Sequence, residues 1–440
     1  MVYGYRWEMY RSMYDHLTPD LSTSKTVSKS ETSQICDSRS YWDFMDGSES
    51  TVLACAEHRG NRPQFLVTTR WGDKDCNVEE RAQQLGGLQG KDSLPIVGFN
   101  MHDVERESDV FPGDYAKVMY RDAAVVIKHQ TPCGLAEGNT LKEAFERAWF
   151  GDEISAYGSV VGFSRPVDEL SIKALSGKYV EAVIAPEFSE GAIKWIQGLK
   201  SKKDLRVIAT GVLSDAPEFT EVKHIRGGVL TKTQSSKLYL CDNVGDLVKP
   251  AVSIVEPNSE NVYQVGLVTQ HEFAVDRTSL IEFGIKAGKH TKSNAIVIAY
   301  QDGQKGEYRV LGAGTGQPNR VDSVWKLAQA KARENLMRQM FREQGRDYAM
   351  EMDRMMQDSG YNTKMVAQVN GYVRDILGSN KVILYSDAFF PKQDTLHAVA
   401  DAGIKTVITP GGSKYDDDVI NAANAREINM IFTGIRKFKH

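Results

Sequence analysis

Val125-Val126-Ile127-Lys128-His129-Gln130-Thr131-Pro132-Cys133-Gly134 is the stretch around which the rest of this sequence can be ordered. A β-branched apolar run ends in a Lys-His pair, and turn-forming residues then break the strand. Thr140-Leu141-Lys142-Glu143 follows, a Thr-x-x-Glu capping box that predicts a helix start. Leu141, Ala144, Phe145, Ala148 and Trp149 fall at helical spacing and give that helix one apolar face. Strand, turn and capped helix put Lys128 and His129 at the carboxyl end of a buried strand, where open α/β sheets bind ligands. A cation and a titratable imidazole in such a crevice suit chemistry on an anionic or electron-rich substrate. The same pair also fits the polar end of a core strand.

Working outward, the pattern alternates. Residues 156–164, 181–186 and 205–210 read as strands, with a helix over 189–199 between the last two. Further on, a helix around 279–286 precedes a strand at 295–300, and residues 308–311 return as another. The chain then enters Gly312-Ala313-Gly314-Thr315-Gly316-Gln317-Pro318-Asn319-Arg320. That run is not a dinucleotide fingerprint: its spacing is G-x-G-x-G and a proline follows. It reads instead as a substrate-adjacent turn whose Arg320 meets an anion. Residues 321–357 read as helical, and their methionines read as packing filler. Strands at 381–385, 405–409 and 428–433 alternate with helices from 394 and over 416–425. Both parts of the chain thus contain a strand that stops at polar residues and a proline turn before a helix. The expected fold class is α/β, with two related mixed sheets covered by helices.

The 440 residues suit two or three domains. Hydrophobic content of 41% and charged content of 25% are ordinary globular values. A net charge of -4 argues against nucleic-acid binding by phosphate neutralisation. No apolar run is long enough to span a membrane, and the N-terminus lacks a secretory h-region. Five scattered cysteines without C-x-x-C spacing favour a reducing cytoplasm over disulfides or zinc. From about Thr51 the pattern becomes globular, with a short strand at Phe65-Leu66-Val67-Thr68-Thr69, and 78–88 fit a helix.

Taken in order, residues 127–134, 152–162, 292–299, 312–322, 386–391 and 410–413 with 436–440 resemble the AICAR transformylase family. The resemblance implies a tandem repeat of a cytidine-deaminase-like α/β unit, without deaminase zinc ligands. It divides the chain into an N-terminal extension (1–50) and two units (51–250 and 251–440). It also implies formyl transfer from 10-formyltetrahydrofolate to the exocyclic amine of AICAR, and a homodimer with its active sites at the interface.

In that reading His129 is the base, Lys128 tunes it and stabilises the developing oxyanion, and Asn294 orients the reacting groups. Gly158, Glu181, Arg436 and Phe438 match nucleotide contacts. Asn319, Arg320, Val321, Phe389, Pro391 and Asp394 match the folate side. A bound monovalent cation stays open.

Three departures stand out. Little chain precedes Lys128, so the resemblance implies a transformylase without the cyclohydrolase domain and a separate enzyme for ring closure. His58-Arg59-Gly60-Asn61-Arg62-Pro63-Gln64 is a degraded copy of the family's nucleotide-binding segment. Lys392 and Gln393 replace the Phe-Arg that usually follows Phe-Phe-Pro. A zinc deaminase would need Pro-Cys-x-x-Cys, and Pro132-Cys133 has no second cysteine. A non-catalytic nucleotide-binding protein on the same fold is the remaining alternative.

Overall fold

The computed structural model describes residues 122–128, 131–199, 205–209, 237–256, 261–270 and 276–437. It also gives the backbone of two separate antiparallel hairpins, Ser50–Ala56 with Gln64–Arg70 and Phe219–Ile225 with Gly228–Gln234. His129, Phe438, residues 58–63, the expected helix at 78–88 and nearly all of 1–50 lie outside the described residues.

Among the described residues, twelve strands form one mixed sheet. The first five are β1 (Asp122–Lys128), β2 (Thr131–Gly138), β3 (Ser159–Phe163), β4 (Val180–Ala185) and β5 (Arg206–Ala209). A hairpin follows, β6 (Val252–Val255) and β7 (Val262–Leu267). The remaining five are β8 (Ile296–Gln301), β9 (Tyr308–Gly314), β10 (Val382–Ser386), β11 (Thr406–Thr409) and β12 (Asn429–Phe432). Their spatial order is β6-β7-β12-β11-β10-β8-β9-β2-β1-β3-β4-β5.

The same arrangement occurs twice. In the first half β1 is flanked by antiparallel β2 and β3, and β3, β4 and β5 run parallel. In the second half β8 is flanked by antiparallel β9 and β10, and β10, β11 and β12 run parallel. The halves join through β2 and β9, which pair antiparallel at Arg309 and Ala136.

The helices follow from local chemistry. In α1 (Leu141–Trp149) Thr140 caps the Glu143 N–H at 3.2 Å, and the buried residues are Leu141, Ala144, Phe145, Ala148 and Trp149, as the spacing predicts. Glu143 reaches back to the Asn139 N–H rather than to that of the cap. With α2 (Glu169–Lys173) and α3 (Glu190–Gln197) it covers one face of the first half. On the opposite face α4 (Thr278–Lys289) packs on β8, β9 and β10 of the second half, and a core runs from Val125 and Leu135 to Ile383 and Tyr385 across both halves.

Two expectations change here. Residues 131–138 are a strand, not a turn into the helix. Gly134 looks like a turn residue, but a Cβ there would lie 1.7 Å from the Ala148 carbonyl oxygen, so its absence lets α1 lie against the sheet. The glycine run at 312–316 likewise begins inside β9, and a Cβ on Gly314 would sit 2.0 Å from the Ser323 carbonyl oxygen.

The helical stretch after it is also not continuous. A turn at Arg320–Asp322 passes through a π-helical segment, Ser323–Ala328, into α5 (Gln329–Glu343). Asp347 then caps α6 (Tyr348–Gln357), and Asp358 caps α7 (Ser359–Leu377), a helix with no counterpart in the sequence reading. Met337, Met340, Met355 and Met365 pack together with Phe341 and Val369, whereas Met350 and Met356 are exposed. Helices α8 (Gln393–Asp401) and α9 (Asp416–Ala425) complete the second half.

A candidate active site along one sheet edge

Strand direction decides where the candidate residues fall. β1 ends at Lys128, which pairs with Thr131 at the start of β2, and Ile127 pairs with Val160 near the start of β3. Ser159 pairs with Val180, one residue before Glu181. In the second half Ile296 pairs with both Gly314 and Ser386, at the end of β10. Thr409 pairs with Phe432, just before Arg436. One edge of the sheet therefore carries Lys128, Gly158, Glu181, Asn294, the 315–320 loop, the 387–394 loop and Arg436.

At the first-half end of this edge, the Lys128 Nζ donates to the Tyr157 carbonyl at 2.6 Å. Gly158 follows in a left-handed conformation (φ 71°), and the exposed rings of Tyr157 and Tyr179 face each other with centroids 4.8 Å apart. Glu181 is buried, accepts from Arg206 at 3.2 Å, and lies 3.4 Å from the Tyr179 hydroxyl. Cys133 is the nearby nucleophile candidate, but burial and then Asp152 push its thiol up to about 12, so it stays protonated at neutral pH.

The second-half end is built around a buried ion pair. Arg320 is 7% exposed and Asp387 fully buried, and their side chains meet directly. Arg320 Nη1 also donates to Ser386 Oγ at 2.9 Å and to the Ala295 carbonyl at 3.3 Å, while Nη2 donates to Asn294 Oδ1 at 2.8 Å. Asp387 accepts from the Ala295 N–H at 3.1 Å and from the Ser293 hydroxyl. Asn294 Nδ2 donates to the carbonyls of Gln317 (2.9 Å) and Pro318 (3.2 Å). Arg320 thus faces inward and does not offer a free guanidinium to an anion. Asp387, which the sequence reading passes over, is its partner. The sequence signal was an Asp separated only by Ser386 from the β-strand run 381–385.

Asn319 caps the following turn, accepting from the Asp322 N–H at 2.8 Å, and is exposed beside half-buried Val321. Phe389 and Phe390 diverge: Phe390 is core, whereas Phe389 is half-buried beneath the Arg436 guanidinium, 4.5 Å from ring centroid to Cζ. Pro391 and Asp394 are exposed next to it. Arg436 also reaches the Gly412 carbonyl at 3.4 Å. Asp416 accepts from the Gly412 and Ser413 N–H groups, and burial raises its carboxyl above the usual range against the pull of those bonds.

One chain does not bring Lys128 and Asn294 together. β2 and β9 lie between their strands, so they stand three strand spacings apart, about 14 Å along the edge.

These features define an α/β protein whose polar groups line a single edge of a repeated mixed sheet. Residues 80–331 match the AICARFT/IMPCHase bienzyme family, and the chain belongs to that family. It is 34% identical over 371 residues to the bifunctional purine biosynthesis protein PurH of Rhodopirellula baltica, covering 84% of this chain and 55% of that protein. The PurH of Aquifex aeolicus is 34% identical over 353 residues, covering 80% and 53%. That of Bartonella bacilliformis is 31% identical over 404 residues, covering 91% and 60%. The chain therefore spans a little over half the length of these relatives. Among the described residues, no helix is long and apolar enough to cross a membrane.

Proposed function

We propose that this chain acts in purine biosynthesis as an AICAR transformylase, moving the formyl group of 10-formyltetrahydrofolate onto the 5-amino group of AICAR. The observation that carries this reading is the shared sheet edge: segments distant in sequence lie along it in a chain belonging to the AICARFT/IMPCHase bienzyme family.

The acceptor amine is a weak nucleophile because its lone pair is delocalised into the imidazole ring. As its nitrogen attacks the formyl carbon, the N–H proton must leave and an oxyanion develops on the formyl oxygen. The N10–formyl bond then breaks, and the leaving nitrogen takes up a proton to give tetrahydrofolate. A base poised near neutrality takes the amine proton, a role we give to His129. A fixed donor stabilises the oxyanion, a role we give to the Lys128 ammonium. That ammonium also disfavours the imidazolium and so keeps the base neutral.

Gly158, Glu181, Arg436 and Phe438 are assigned to the nucleotide, and Asn319, Val321, Phe389, Pro391 and Asp394 to folate. Half-buried Phe389 under a guanidinium makes a flat platform suited to a planar ring. The separation of Lys128 from Asn294 supports a homodimer in which each site draws on both subunits. The repeated strand order supports two cytidine-deaminase-like units, which we take as 51–250 and 251–440.

Incubation with AICAR and 10-formyltetrahydrofolate should release tetrahydrofolate. His129→Ala should lower turnover by about 100- to 10,000-fold with AICAR binding retained. Near-normal turnover in that variant would remove His129 from the mechanism. An inactive wild type that still binds AICAR would favour a non-catalytic nucleotide-binding role.

A further inference from the structure

Asn294 carries an amide whose orientation its neighbours dictate. Its Oδ1 faces Arg320 Nη2 at 2.8 Å, and arginine has only donors. Its Nδ2 faces two backbone carbonyls, which only accept. Turning the amide over would set donor against donor and acceptor against two acceptors. Both Nδ2 hydrogens are thus committed to the 317–318 loop, and one lone pair of Oδ1 is the hydrogen-bonding capacity left. Arg320 is in turn fixed by Asp387, Ser386 and the Ala295 carbonyl, and Asp387 by the Ala295 N–H and Ser293.

We propose that Asp387 and Arg320 are positioning residues that hold the Asn294 carbonyl oxygen toward the ligand as an acceptor. Resting on the transformylase reading, this acceptor takes an N–H of the substrate amine and aims its lone pair at the formyl carbon. Asn294 then does not serve as an oxyanion donor. In this arrangement Asp387 acts through Arg320, and Arg320 acts through the amide.

The first half supplies a control. At the corresponding corner Leu141 stands first after the helix cap, as Arg320 does, and Ser164 accepts from the Ala123 N–H at 2.8 Å, as Asp387 does from Ala295. The same backbone bond closes both corners, Ser164 N–H to Ala123 at 3.0 Å and Asp387 N–H to Ala295 at 3.3 Å. Leu and Ser therefore already satisfy this geometry in the same chain.

The test uses the full chain and steady-state kinetics with AICAR and 10-formyltetrahydrofolate. R320L/D387S, which copies the first-half corner, should fold and keep its unfolding midpoint close to wild type. Its kcat should fall by about 100-fold while both KM values stay within about threefold. R320K, which keeps a charge against Asp387 but loses the fork that reaches Asn294, should show the same split. Either variant suffices if the other does not fold.

Unchanged kcat in a folded variant, or a raised KM at unchanged kcat, overturns the positioning role. Asn294→Asp keeps the acceptor that faces Arg320 while setting its second oxygen against the 317–318 carbonyls, and should still retain at least about tenfold more kcat than Asn294→Leu, a difference of about 1.4 kcal/mol. Equal loss in the two overturns the acceptor assignment. Inactivity of the wild type would instead refute the transformylase reading itself.

Discussion

The two halves of the sheet share strand order, strand directions and even the backbone bonds at one corner, yet they fill that corner differently. The first half places Leu141, Ser164 and Asp122 there. The second places Arg320, Asp387 and Asn294. Leucine and serine stand where the second half has its charged pair, the serine as a neutral acceptor for the Ala123 N–H, and Asp122 pairs instead with partly exposed Arg165 at 2.8 Å. Arginine and aspartate instead bury opposite charges, an arrangement that contributes little net stability over an apolar one but fixes the geometry of what it touches. What it touches is Asn294, at the start of β8. The difference indicates that the second-half corner is shaped for a purpose other than folding.

Substitutions at the paired positions sharpen this contrast. The largest difference is expected between Asp387→Ala and Ser164→Ala, followed by thermal or denaturant unfolding. Losing Asp387 strands a buried guanidinium and should cost about 3–5 kcal/mol. Losing the Ser164 hydroxyl takes a neutral acceptor from the Ala123 N–H and should cost about 1 kcal/mol. Equal costs would break the contrast.

Next come the close-approach glycines, where the halves should agree. Gly134→Ala and Gly314→Ala each drive a Cβ into a helix carbonyl and should each destabilise by about 1–3 kcal/mol. A tolerated alanine at either would mean the helix can withdraw from the sheet.

The smallest effect is expected at Tyr385. Its hydroxyl is buried without a hydrogen-bond partner among the described residues, and burial raises its pKa, with Asp387 adding to the shift. Tyr385→Phe should be neutral or slightly stabilising, within about 1 kcal/mol. A clear loss would indicate that the hydroxyl has a partner.

Much of this architecture is legible in the sequence because burial writes itself as periodicity. The capping box and the Leu141–Trp149 face predict α1 and its packing residue by residue. The β-branched runs predict β1, β4, β8, β10 and β11 closely. β2 was hidden because its residues, Pro132 and Gly134 among them, carry the chemistry of turns. Gly134 is there for the helix above it, a tertiary reason that no local window contains. α7 was hidden too, because Gly360 and Gly371 weaken its helical signal and much of its surface is exposed.

For the site, the sequence identifies the strand ends at which polar residues collect. It does not give side-chain direction. Arg320, an arginine in a glycine-rich turn, reads as an anion contact, and only its burial against Asp387 turns it inward. Phe389 and Phe390 are indistinguishable as neighbours, yet one enters the core and the other lies under Arg436.

The most direct measurement of the proposed site is subunit complementation. Co-expressed His129→Ala and Asn294→Ala chains, each inactive as a homodimer, should recover about a quarter of wild-type turnover with AICAR and 10-formyltetrahydrofolate. Random pairing makes half of the dimers mixed, and each mixed dimer keeps one intact site of two. Turnover no higher than that of either variant alone, beside an active wild type, would contradict a site shared between subunits.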